Sequence, residues 1–400
     1  MTRSAITAAA LAAGLLVHTQ GFAQVPINPG TSASTAANVA TMSDAEKAAR
    51  KTWRAVMKNI PVPGEGCFHV KYPNVAWESV ECKAVEPRVH SVHANRVVGA
   101  AGAGNGVDWV AVAPGQSLIS GAGGTFEGTS GVTSENGVGG KKGAIDGPNE
   151  YTLQLNTNND QGTAACGDYI VFQDGGDCRV WQQFIYATDG YGSGTAALYM
   201  QYWLYGWTGT CPHGWMTPPN STGTCYKNSA GTQLPDIPVT ELGCCVVFEG
   251  TALAGQYDAV FLRYGDDWWS VYAADSSSGA VGLGSGVDIA TVWNQAEFNI
   301  VGDLEWSEAY FNGFPTFVVT LQVEDGSYSA PGCYQLGTTG ETNNLTLSTT
   351  CQTGVGEQIE NLGYGPYIQF TESIPVPSAP CLSCGGGGGS PVPSPPPIEP

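Results

Sequence analysis

The side chains with the most chemistry to offer are carboxylates and amides set on strand-like runs. In "AEFNIVG", Glu297 and Asn299 fall on one face of an alternating run, and Phe298 and Ile300 fall on the other. In "EYTLQLNTN", Thr152, Gln154 and Asn156 alternate with Tyr151, Leu153 and Leu155. In "YMQYWLYGW", Tyr199, Gln201, Trp203 and Tyr205 share a face. If these faces adjoin in one sheet, they line a groove that brings Glu297 and Gln154 near each other with aromatic rings beside them. Such a groove suits an extended peptide or a sugar chain. The same alternation also describes the solvated outer face of an ordinary antiparallel sheet, so the pattern alone leaves both readings open.

Other chemistries find little purchase. Downstream of His18 the histidines are His69, His90, His93 and His213. The His90-x-x-His93 pair lacks cysteines or carboxylates at zinc spacing, so neither a metal nor a cofactor is expected. "AGAGNG" does not lead into a helix and is a poor phosphate cradle. No GxSxG serine motif occurs. A glycosidase needs two carboxylates across a groove, but "GDLEWSE" sends Asp303 and Glu305 to one face and Glu308 to the other. The Cys381-x-x-Cys384 pair is weak evidence for redox work in an exported chain.

The elements that must position these residues are strands. Gly-, Asn- and Asp-rich turns separate short runs rich in Val, Thr, Tyr and Trp. The expected fold is all-β: a two-sheet antiparallel β-sandwich of the concanavalin/lectin-like jelly-roll type, with a short N-terminal helix. That helix is read at 44–58, where Ser43 and Glu46 form a capping box and Pro61 follows the end.

The chain divides into four parts. Residues 1–23 read as a signal peptide, with Arg3, an apolar run and a small-residue site ending at Ala23. Residues 24–97 form an N-terminal segment with the helix and a Cys-closed loop, readable as a pro-segment or as a linker. Residues 98–375 form the sandwich, and 376–400 a Cys/Gly/Pro-rich tail that cannot bury a core. Later apolar runs are too short to span a bilayer. The expected product is secreted and monomeric.

Twelve cysteines in an exported chain point to disulfides. Spacing suggests local staples: Cys67 with Cys82, Cys166 with Cys178, Cys211 with Cys225, and Cys333 with Cys351. Cys244, Cys245, Cys381 and Cys384 could pair with each other and tie the tail to the body, but spacing leaves their connectivity open.

Charge is uneven. Residues 1–142 hold 12 Lys+Arg against 9 Asp+Glu; residues 143–400 hold 3 against 26. An anionic body repels nucleic acid and anionic lipid, which excludes both as main partners. With few cations it has few ion pairs to lose in acid, a composition suited to acidic surroundings, though an acidic balance is also common among secreted proteins at large. The basic helix ahead of it, with Lys47, Arg50, Lys51, Arg54 and Lys58, is positioned to be held by charge.

The ordered set of strands resembles the eqolisins, the acid-acting glutamic peptidases. "VDWVAV" around Trp109 and "GGTFEGTSGV" around Phe126 take the first places of that pattern. "YTLQLNTN" puts Gln154 at the family's glutamine, "YMQYWLYGW" fits its aromatic strand, and "NQAEFNIVGD" puts Glu297 at its glutamate. Departures are present. A literal "NWAG" opening is missing, Gly302 replaces the family's second glutamate, and Gln201 stands where the family often has Glu. The loops 159–180 and 206–245 are extra. The resemblance implies a concanavalin-like sandwich that hydrolyses polypeptides, with Glu297 as base and Gln154 as water-orienting and oxyanion-binding amide. Gln201, Trp203, Tyr205, Trp109 and Asn299 are then candidate substrate-binding residues, and Gln182 a polar neighbour. The alternative is a non-catalytic lectin-like module that binds a glycan or protein on the same aromatic face.

Overall fold

The computed structural model describes residues 41–86, 108–138, 147–166, 178–192, 194–207, 209–218, 221–274, 287–302, 307–336, 342–359 and 362–376. The expected signal peptide, the tail with Cys381 and Cys384, and Asp303 and Glu305 lie outside these residues.

The strands, in chain order, begin with β1 (Gly66–Lys71), β2 (Glu78–Val80), β3 (Lys83–Ala84), β4 (Trp109–Val112), β5 (Gly121–Val138), β6 (Gly147–Pro148) and β7 (Thr152–Thr157). There follow β8 (Arg179–Ala187), β9 (Thr195–Tyr205), β10 (Thr224–Asn228), β11 (Ala230–Pro235), β12 (Val246–Leu253), β13 (Tyr257–Tyr264) and β14 (Asp267–Ala274). The last are β15 (Gln295–Val301), β16 (Glu308–Glu324), β17 (Gly332–Gln335), β18 (Thr342–Asn343), β19 (Thr346–Leu347), β20 (Gln352–Gly356) and β21 (Gly365–Ser373).

Among the described residues these make two sheets. The nine-stranded front sheet runs β17-β4-β15-β7-β8-β9-β11-β3, with β10 also on β9. The twelve-stranded back sheet runs β19-β21-β16-β5-β12-β13-β14-β1-β2, with β18, β20 and β6 at its margins. Pairing is antiparallel except between β16 and β18. The all-β sandwich is therefore what the alternating runs build.

The two sheets close on an aromatic core that the back sheet's glycines make possible. A Cβ on Gly124 of β5 would sit 2.1 Å from the Phe298 ring of β15. One on Gly250 of β12 would sit 2.5 Å from the Phe184 ring of β8. Phe298 also meets Phe126 at 5.1 Å between ring centroids. These rings fix the pleat of β8 and β15. With Phe184 and Phe298 turned inward, Gln183 and Glu297 must turn outward.

The helix α1 (Asp44–Met57) has the predicted capping box: the Ser43 hydroxyl accepts from the Glu46 amide and the Glu46 carboxylate accepts from the Ser43 amide. Trp53 and Met57 bury their side chains against Val70 and Trp268, on the outer face of the back sheet. Arg50 donates to both oxygens of Asp266 at 2.7 and 3.0 Å and lies over the Tyr72 ring. The basic helix is thus held by an acidic strand turn, on the side of the molecule opposite the front sheet.

All four predicted staples form, at sequence separations of 12 to 18. Cys244 and Cys245 bridge each other instead of reaching the tail. They sit in α2 (Leu242–Cys245), a single turn, so "CCVVFEG" is a strand only from Val246 onward. "SEAYFN" and "TFVVTLQVEDG" merge into one long strand, β16, with register shifts around Gly313 and Val318.

Candidate active site

On the outer face of the front sheet, five polar residues line up straight across five strands. Glu297 of β15 opposes Asn156 of β7, which opposes Gln183 of β8, then Gln201 of β9, then Asn228 of β10. In the adjoining row, Asn299 opposes Gln154. Glu297 and Gln154 therefore share one face of neighbouring strands as diagonal neighbours. The residue directly across from Glu297 is Asn156.

The amides are oriented by a hydrogen-bond chain with a fixed direction. An indole N–H can only donate. Trp203 Nε1 donates to Gln183 Oε1 at 2.9 Å, so the Gln183 amide must turn its Nε2 the other way, where it donates to Gln154 Oε1 at 2.9 Å. Gln154 Nε2 then donates to Thr152 Oγ1 at 3.1 Å, and that hydroxyl donates to the Gly302 carbonyl at 3.1 Å. Each amide has its orientation set by the previous link.

Glu297 is held from its other side. Asn299 Nδ2 donates to Glu297 Oε1 at 2.8 Å and to Asp108 Oδ2 at 3.0 Å. Asp108 interacts in turn with Glu372 of β21, which belongs to the back sheet. All three carboxyl groups are at least 95% buried. Burial raises Asp108 well above the ordinary carboxylate range, and the charges of Glu372 and Glu297 add to this. Glu372 is pushed up to about 7, first by burial, with the Asp108 hydrogen bond opposing and Glu297 reinforcing.

Asn156 stands out for the opposite reason. It is fully buried between Glu297 and Gln183, and neither Nδ2 nor Oδ1 makes a hydrogen bond. An unmade pair of this kind costs about 1–3 kcal/mol per group, which a water or ligand atom between Asn156 and Glu297 would recover.

The predicted binding residues divide. Gln201 lies in the row and donates to Asn228 Oδ1 at 2.8 Å. Asn299 lies beside Glu297. Trp203 and Tyr205 are on this face but packed: they stack on each other at 5.8 Å, with Trp181, Tyr226 and Met216 around them. Trp203 has no exposed surface and Tyr205 only 7%. Trp109 is not on this face. Val110 opposes Glu297, so Trp109 turns to the core side and donates to the Ser348 carbonyl. Gln182 also points the other way, opposite Tyr202, with its amide near the Met200 sulfur. Its neighbour Gln183 takes the place expected of it.

Both flanks of the row are covered. Met216, from the loop closed by Cys211–Cys225, packs over the aromatic end. Val85 packs over Ile185 and Tyr199, and the Glu86 carbonyl accepts from Asn228 at 3.4 Å. Among the described residues no cluster of His, Cys, Asp and Glu has the arrangement to hold a metal ion.

No family profile matches the chain, and no curated protein matches it. Among solved structures, it is similar to scytalido-glutamic peptidase bound to a peptide-based transition-state analogue, at 13% identity and a TM-score of 0.28. The match covers 66% of this chain and 97% of that one. A second structure of that peptidase with a transition-state analogue inhibitor gives 12% and 0.29, over the same shares. SCP-B, described as a member of the eqolisin family in complex with the tripeptide Ala-Ile-His, gives 12% and 0.27, again over 66% and 97%. The likeness is faint, and the functional reading rests on the side chains of the row.

Proposed function

We propose that this chain is a secreted, acid-acting endopeptidase in which Glu297 is the general base and Gln154 the amide that orients water and binds the oxyanion. The observation that carries the reading is one carboxylate, held by Asn299, facing a run of buried amides whose orientations are fixed by the chain from Trp203 to Gly302. Glu297, ionised, takes a proton from a water as that water attacks a peptide carbonyl. An amide N–H from Gln154 meets the negative charge that develops on the carbonyl oxygen. Glu297 then gives its proton to the leaving amine. Asn156, directly across from the base, is a further partner for the attacking water.

The lectin-like alternative would bind its ligand on Trp203 and Tyr205; these rings are buried, as Glu297 and Gln154 are, and it is the oriented carboxylate–amide row that favours the peptidase. Export accords with the five disulfides among the described residues, since such bonds persist in oxidising compartments. No helix among the described residues is long and apolar enough to cross a membrane.

The test is hydrolysis of a denatured protein substrate at pH 3 to 5 by wild type, Glu297→Gln and Gln154→Ala. Loss of about 10²-fold or more in both variants is expected for a base and an oxyanion donor. Equal rates in wild type and Glu297→Gln would remove Glu297 from the mechanism.

A further inference from the structure

We propose that Asp108 and Glu372 are positioning residues for Glu297, acting through the Asn299 carboxamide. The proposal rests on the peptidase reading for its catalytic consequence, though its geometry stands independently. One nitrogen, Asn299 Nδ2, is shared between Glu297 Oε1 and Asp108 Oδ2. It spends a hydrogen on each, so the rotamer of Glu297 is tied to that of Asp108. Asp108 in turn is tied to Glu372, which arrives from the other sheet. The cluster thus pins the outward-facing base of one sheet to a strand of the other.

Three buried carboxyls this close cannot all ionise. At acid pH burial keeps the Asp108–Glu372 pair protonated, so the pair adds no charge beside Glu297. As pH rises through about 7 the pair begins to lose a proton, and a second negative charge appears beside Glu297. The other groups facing the cluster do not compete. Thr152, Gln154 and Asn156 from β7, Phe317 from β16 and Leu347 from β19 are neutral. Tyr334, across β4 from Val110, is titratable, and β16 carries Glu308, Tyr310 and Glu324 farther along its length.

The experiment follows the ¹³Cδ resonance of Glu297 with pH in full-length protein labelled at glutamate, assigned by its absence in Glu297→Gln. In wild type the Glu297 resonance is expected to show an inflection near neutral pH that reports the pair. Glu372→Gln and Asp108→Asn should each erase it. On denatured substrate, each should lower kcat by about ten- to a hundred-fold with KM within about two-fold, the pattern of a displaced base. A Glu297 titration curve identical in wild type and Glu372→Gln would overturn the proposal. If Asp108→Asn fails to fold, Glu372→Gln carries the test alone. The two readings fail separately: a Glu297→Gln variant that still cleaves would sink the peptidase, whereas the resonance would still report the coupling.

Discussion

Glu135 offers a direct measure of how this protein treats its acidic residues. It lies on β5 opposite Phe311, is 1% exposed, and neither carboxylate oxygen makes a hydrogen bond of normal geometry. Burial pushes it from the ordinary range up to about 9, and the nearby Glu150 backbone amide offsets this only in part. The folded protein therefore holds a proton that the unfolded chain releases above about pH 4.5. A group whose folded value is raised adds full stability below its unfolded value and loses it progressively as pH rises towards its folded value. At pH 7 the pH has climbed about 2.5 units past the unfolded value, so the loss is about 3 kcal/mol. Glu135→Gln removes the titration while keeping the shape. It should match wild type at pH 4 and exceed it by about 3 kcal/mol at pH 7, several degrees in Tm for a chain this long. Chemical denaturation at pH 4, 5.5 and 7 reads this directly. Asp236 and Glu372, each pushed up to about 7 mainly by burial, act in the same direction. Wild type alone should accordingly weaken from pH 5 to pH 7. Equal stability of wild type and variant at pH 7 would refute the reasoning.

Two further outcomes follow from the packing and the amide chain. Gly124→Ala drives a methyl into the Phe298 ring and should destabilise the fold by about 1–3 kcal/mol, read as a lower denaturation midpoint. Trp203→Phe keeps the stacking but leaves Gln183 Oε1 without its indole donor; about 1–3 kcal/mol should be lost, and hydrolysis should fall because Gln154 loses its fixed orientation.

Much of this architecture was legible from residue types. A capping box has a local cause, so α1 could be placed to within a residue. Short cysteine spacings favour local closure, and four pairs followed. The facing of Glu297, Asn299, Gln154 and Asn156 came from alternation, since one side of each run was plainly apolar. "WQQF" defeated that logic: two adjacent glutamines give no sign of which is outward, and the pairing of Gln183 with Asn156 decides it. Trp109 failed for a similar reason, because "WVAV" is apolar on both faces. Trp203 and Tyr205 pack with Trp181 and Tyr226, and Met216, carried by a disulfide-closed insertion, lies against the same cluster. Asp108 and Glu372 are far from Glu297 in the chain, and only the meeting of the two sheets brings them to it.

The N-terminal strands carry a consequence for processing. β1 covers the margin of β14 in one sheet, while β3 covers the margin of β11 in the other. A mature form that lost residues 41–86 would present two raw sheet edges, with unpaired backbone amides and carbonyls, and would bare Trp268 where Trp53 and Met57 now sit. Such edges template pairing with other chains. Excision of this stretch would thus trade covered sheet margins for adhesive ones. A cut that leaves the stretch bound to both sheets would be the safer course, and a two-piece product is the form in which cleavage here would leave the sandwich whole.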